Sequence, residues 1–153
     1  MAMIEPKFSI GLPEDARMIR QKVFVDEQGY QHEFVGDDGT CWCLVLYFNH
    51  EPIATGRILE VDPETYRIGR VAVLKPYRHK KIGTYVLKFL EVKIKTLGGH
   101  KAILHAQLEK QGFYEKCGYH VSGEGEIDYD EGHPHLMMEK ELGKKNLRKT
   151  RSL

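Results

Sequence analysis

Apolar residues recur at two different periods along this chain, and the switches between them mark its elements. Met3 to Ile10 reads as a short strand. Pro13-Glu14-Asp15 then opens a helix, because proline suits the first helical position and acids suit the positive end of the helix dipole. Ala16, Ile19, Val23 and Phe24 follow at helical spacing to about Asp26, and Gln28-Gly29 ends the run. Tyr30 to Gly39 carries Glu33, Asp37 and Asp38 and reads as a solvated loop. Three strand-like runs come next, Cys41–Phe48, Ile53–Glu60 and Tyr66–Leu74, separated by the turn signatures Asn49-His50-Glu51-Pro52 and Asp62-Pro63-Glu64. They predict an antiparallel meander. Its last segment, Val71-Ala72-Val73-Leu74, is apolar without interruption, as in a strand buried on both faces.

After a basic loop, Pro76–Lys81, the period returns to 3.6. Ile82, Val86, Leu90, Ile94 and Leu97 line one side of a helix over Ile82–Leu97, which Gly98-Gly99 stops. Lys101–Gln107 is the next strand. With a helix between them, it is expected to lie parallel to Tyr66–Leu74 in a right-handed βαβ unit. Glu109–Lys116 reads as a short helix, and Tyr119–Ser122, Glu126–Tyr129 and Leu136–Glu141 as closing strands. The order predicts an α/β (α+β) protein, a mixed sheet with helices on both faces. It predicts one domain over residues 1–142 and a basic, disordered tail over 143–153.

Composition narrows the function classes. The 153 residues are 41% hydrophobic and 10% aromatic, enough to build one core. No window reaches the ~18–20 apolar residues of a membrane helix, and Met1–Ile10 lacks the apolar stretch of a signal peptide. A cytoplasmic protein without a membrane partner is expected. A net charge of +1 argues against a general polyanion binder. The tail holds Lys144, Lys145, Arg148, Lys149 and Arg151 and no acid, which leaves the body with 18 basic residues against 22 acids. Nucleic acid is therefore not the expected partner. Three cysteines, Cys41, Cys43 and Cys117, make an odd count that speaks against a disulfide framework. Cys41-x-Cys43 lacks a second pair at zinc-like spacing, so it reads as core, and no metal is called for.

The densest chemistry lies where a buried strand runs into a cationic loop and the loop into a helix, Val71 to Thr84. Helix starts leave N–H groups unpaired and carry a positive dipole end, so they hold phosphate readily. Gly83 in the first turn allows a close approach to the backbone, and Arg78, Lys80 and Lys81 add charge. A diphosphate ligand is expected. Neither the dinucleotide fingerprint nor the Walker A pattern is present.

Arg78-His79-Lys80-Lys81-Ile82-Gly83 resembles the phosphate loop of the GNAT superfamily of N-acetyltransferases, Arg/Gln-x-x-Gly-x-Gly/Ala. Phe113-Tyr114-Glu115-Lys116-Cys117-Gly118-Tyr119 resembles that family's second landmark. The likeness runs from about Phe8 to Leu142. Val23-Phe24-Val25-Asp26-Glu27-Gln28-Gly29 and Gly132-His133-Pro134-His135 further resemble a branch of small bacterial GNAT proteins. One departure stands out: Lys81 occupies a position where the family usually has glycine.

The resemblance implies a sheet of six to seven strands, mostly antiparallel, with one parallel pair splayed at the cofactor site. It implies transfer of acetyl from acetyl-CoA, as co-substrate, to a primary amine of a small molecule or peptide. Val71, Ala72 and Val73 would hold the pantetheine arm through their backbone, with an N–H, that of Val73, polarising the thioester carbonyl. Amides from His79 through Lys80, Lys81, Ile82 and Gly83 to Thr84 would hold the pyrophosphate, beside Arg78. Tyr114 matches the general acid that meets the departing thiolate. For the base, Glu27 at the end of the first helix, His135 at the start of the last strand, and His105 stay open. Cys117, at a helix C-terminus, reads as packing rather than as a nucleophile. A CoA-binding regulator without turnover is the alternative. The acceptor and the oligomeric state, a homodimer included, stay open as well.

Overall fold

A computed structural model describes residues 3–34, 36 and 38–143. Asp37 and the basic tail from Lys144 onward lie outside the described residues. β1 (Ile4–Ile10), β2 (Trp42–Phe48), β3 (Glu51–Asp62) and β4 (Thr65–Val73) form an antiparallel run in chain order. β5 (Lys101–Gln107) joins β4 in parallel, and β8 (His133–Glu141) pairs antiparallel with β5. The short strands β6 (His120–Val121) and β7 (Ile127–Asp130) both pair with β8. Among the described residues the mixed sheet therefore has eight strands, with one parallel pair where the βαβ pattern predicts it.

Alternation along the central strands sets the two layers. Leu44, Leu46 and Ile58 face α2 (Ile82–Thr96), whose Val86, Leu87, Leu90 and Ile94 are almost completely buried. Each such side chain contributes roughly 1.5–3 kcal/mol of burial. Gly56 lets that helix lie close on β3: a Cβ there would stand 2.8 Å from Leu90 Cδ1 and 2.9 Å from Val86 Cγ1. Cys43, Val45 and Ala72 face the other way, toward Ala16, Ile19, Val23 and Phe24 of the first helix. Cys41 and Cys43 are buried free thiols. Among the described residues no helix is long and apolar enough to cross a membrane.

Three local features differ from the sequence expectation. The first helix is α-helical only over Glu14–Arg20 (α1) and continues as a π-wound segment, Gln21–Glu27, a winding found frequently at functional sites. The β2–β3 turn is tighter than expected, because Asn49 and His50 both adopt positive φ, as a two-residue hairpin turn of matched twist requires. The acidic loop is not solvated. Glu33 is 5% exposed, and with Asp38 it forms ion pairs with Arg20, Arg57 and Arg70.

Candidate functional site

The parallel pairing of β4 with β5 lasts only from Thr65↔Lys101 to Ile68↔Leu104. Beyond Ile68 the two strands part. They open a cleft of about 830 Å³ bordered by β4 from Gly69 to Val73, by the start of α2 and by His105 and Gln107 of β5. The ladder with β3 fixes which way the backbone of β4 points. Leu74 N–H bonds Ile53 carbonyl at 2.9 Å while Val73 stands opposite Ala54. Val73 thus occupies a non-hydrogen-bonded position, with its own N–H and C=O turned away from β3 toward the gap. The Val73 carbonyl accepts from Arg78 Nε at 2.8 Å.

Arg78 leads into the helix start. Its two Nη atoms donate to both oxygens of Glu27 at 2.8 and 2.7 Å, so the guanidinium is committed within the protein. The hydrogen bonds and charge of Arg78 hold the Glu27 carboxyl below its ordinary value, against a smaller effect of burial. From His79 to Thr84, no backbone N–H has a hydrogen-bond partner among the described residues, and the first helical bond is Tyr85 N–H to Lys81 carbonyl. His79 and Lys81 both adopt positive φ, 63° and 65°. Alternating left-handed residues gather successive N–H groups into an anion-binding concavity, here continuous with the dipole end of α2. The donor set fits a diphosphate. Lys81 therefore stands at a position with a left-handed backbone, as a glycine there would suggest. At Gly83 the close neighbour is Phe113, whose Cζ would lie 3.1 Å from an added Cβ.

Phe113 and Tyr114 belong to α3 (Gln111–Lys116), preceded by a 3-10 turn over Leu108–Lys110. Tyr114 lines the cleft, and its hydroxyl makes no hydrogen bond to any described residue. Burial, with a smaller effect of Cys117, pushes its phenol well above the usual range. Cys117 itself contacts Thr84 Oγ1 at 3.9 Å.

On the opposite wall, His135 is the third residue of β8 rather than the first. Its Nδ1 donates to the His133 carbonyl at 2.9 Å, since a carbonyl can only accept. In the neutral ring Nε2 then keeps its lone pair, 3.4 Å from the Tyr30 hydroxyl. Tyr30 is buried, stacks on His133 with 4.4 Å between centroids, and accepts from Gln107 at 3.4 Å. His105 also borders the cleft, its imidazole held below the ordinary value by desolvation and by Arg67. Sequence reasoning missed Tyr30, Gln107 and Arg70. Nothing local marks them, because their neighbours come from 37 to 105 residues away.

The family model described as the acetyltransferase (GNAT) family matches residues 11–119. The uncharacterised protein YyaT of Bacillus subtilis is 33% identical over 135 residues, 85% of this chain and 89% of that protein. The crystal structure of Escherichia coli ElaA superposes with a TM-score of 0.77 at 30% identity, covering 91% of this chain and 100% of that one. A GNAT family acetyltransferase from Elizabethkingia anophelis with acetyl-CoA bound superposes with a TM-score of 0.69, covering 92% of this chain and 98% of that one. At 18% identity that last likeness is one of fold.

Proposed function

The chain belongs to the acetyltransferase (GNAT) family, and on that premise we propose that it moves acetyl from acetyl-CoA directly to a primary amine of a small molecule or peptide. The observation that carries this reading is the run of unpartnered N–H groups from His79 to Thr84, set at the mouth of the cleft that the parting strands open. Those amides hold the pyrophosphate, with the Lys80 side chain adding charge. The edge of β4 from Val71 to Val73 takes the pantetheine arm, with the backbone groups of Val73 facing the gap. Val73 N–H meets the negative charge that develops on the thioester oxygen.

An amine of lysine type has a pKa of ~10.4 and must lose its proton before it attacks. His135 is the base in this reading, because its Nε2 lone pair faces Tyr30 while Nδ1 is anchored on a carbonyl. Glu27 serves as an anchor instead. Both its oxygens are engaged by Arg78, and a carboxyl held low has little appetite for a proton. Tyr114, protonated at any working pH, hydrogen-bonds the departing thiolate and supplies its proton.

Thiol release from acetyl-CoA against a panel of polyamines, aminosugars, amino acids and lysine peptides tests the transfer. A rise in melting temperature with acetyl-CoA tests the donor site. Release with at least one amine is expected. A thermal shift without release from any amine would favour the alternative of a CoA-binding regulator. Absence of both signals would remove the donor assignment.

A further inference from the structure

Arg70 stands in the middle of β4 at a point where the ladder breaks register. Thr55 faces Ala72 and Arg57 faces Gly69, so Gly56 alone opposes both Arg70 and Val71. Arg70 takes a φ of 54°, a left-handed conformation that a long side chain adopts only at a cost. The bulge changes which face each residue meets. Ile68 and Val71, three apart, both pack in the core under α2, and Ala72 packs under α1. Arg70 is thereby delivered to the α1 side, beside Glu33, at the border of the cleft. Bulges re-aim side chains in this way next to active sites.

Its hydrogen bonding is incomplete. Arg20, Arg57 and Arg70 share two carboxylates, Glu33 and Asp38, among the described residues. Arg20 takes the larger part, with four hydrogen bonds of 2.8 to 3.2 Å to Glu33 and Asp38. Arg57 holds Asp38 at 2.6 Å. Arg70 Nε lies 2.9 Å from Glu33 but without hydrogen-bond geometry, and its single bond, Nη2 to the Glu33 carbonyl, is 3.5 Å long. Its side chain is 28% exposed, against 2% for Arg20. A guanidinium fork facing a cleft, with one carboxylate already shared, suits a planar anion with two oxygens.

We infer that the acceptor carries, besides its amine, a carboxylate or equivalent oxyanion, and that Arg70 binds it. This rests on the acetyl-transfer reading of the same cleft. Arg70 precedes Val73 by three residues, a span of at most ~10 Å of strand that the bulge shortens. That length suits a compact amino carboxylate, with its anion on Arg70 and its amine between the thioester and His135.

The test compares matched ligands: amino acids, their amides, the corresponding decarboxylated amines and aminophosphonates. Binding to the protein saturated with CoA is followed by calorimetry, so the readout does not depend on turnover. Anionic members should bind about tenfold or more tightly than their neutral partners. Phosphonates matching carboxylates would extend the anion to phosphate-type groups. Arg70→Gln should erase the preference while leaving CoA affinity unchanged, and Arg70→Lys should keep part of it. Where Arg70→Gln fails to fold, the partial loss in Arg70→Lys carries the reading. Equal affinity across each pair, no binding of any anionic member at millimolar concentration, or a preference that survives Arg70→Gln or is undiminished in Arg70→Lys overturns the inference. Failure of the acetyl-transfer reading shows separately, as absence of thiol release.

Discussion

A lysine at φ 65° on the N-cap of α2 sits in a conformation that glycine adopts freely. For an L-residue the left-handed region costs roughly 1–2 kcal/mol, and glycine gives back part of that difference through its unfolded-chain entropy. Lys81→Gly should therefore stabilise the protein by under about 1 kcal/mol and keep or tighten CoA binding, as melting curves with and without CoA would show. Loss of binding as severe as in Arg78→Ala would make the Lys81 side chain a direct phosphate ligand. Tyr114 poses a different question, since its hydroxyl has no partner to lose among the described residues. Tyr114→Phe should leave the melting temperature and CoA affinity nearly unchanged and cut turnover by roughly 10²–10⁴-fold. A large fall in melting temperature would mean that the hydroxyl is structural. At this scale the sequence was readable where identity alone carries the signal, as at Lys81 and at Phe113-Tyr114. It was silent on Arg70: Gly69 and Gly56 flank the bulge, but a glycine does not tell which neighbouring side chain turns toward the cleft.

Among the elements, the π-wound segment after α1 ends on Glu27, and Glu27 ties that segment to the loop before α2 through Arg78. The bond has a pH signature. Arg78 lowers the folded-state value of Glu27 below the ordinary 4.5, so the unfolded chain takes up the proton first as pH falls. The stabilisation is complete above that ordinary value and is lost as pH drops through the depressed one. With both side chains about a third exposed, the contribution at neutral pH is ~1 kcal/mol or less. Glu27→Gln should flatten this part of the acid-side fall in melting temperature, and it should leave turnover far closer to the parent than His135→Gln does. An equal loss in both variants would return Glu27 to the catalytic steps. Strands and helices were legible from their periods, and the βαβ unit from its order. The π winding was not, because Ala16, Ile19, Val23 and Phe24 fit an ordinary α stripe equally well. Nor was the fate of Glu33 and Asp38: charged residues read as solvated, and only the folded chain brings Arg20, Arg57 and Arg70 to them.

Across the whole molecule, the two halves of the sheet are joined by only four residue pairs of parallel ladder, Thr65–Ile68 against Lys101–Leu104. Above that seam, the inward edge of β4 has lost its neighbouring strand, and its backbone groups face a cleft. Such a seam leaves a mark in amide hydrogen exchange. In the protein alone, Val73 N–H should exchange faster than the flanking Ala72 and Leu74, which bond β3. A pantetheine arm lying along that edge would act as the absent strand, and acetyl-CoA should then slow Val73 selectively, by a factor that grows with ligand occupancy. Protection spread evenly over β3 and β4 would instead report general tightening of the fold. On that reading the donor would double as a piece of secondary structure: it would bridge β4 and β5 where the polypeptide does not, so that occupancy of the cleft and mechanical continuity of the sheet rise together.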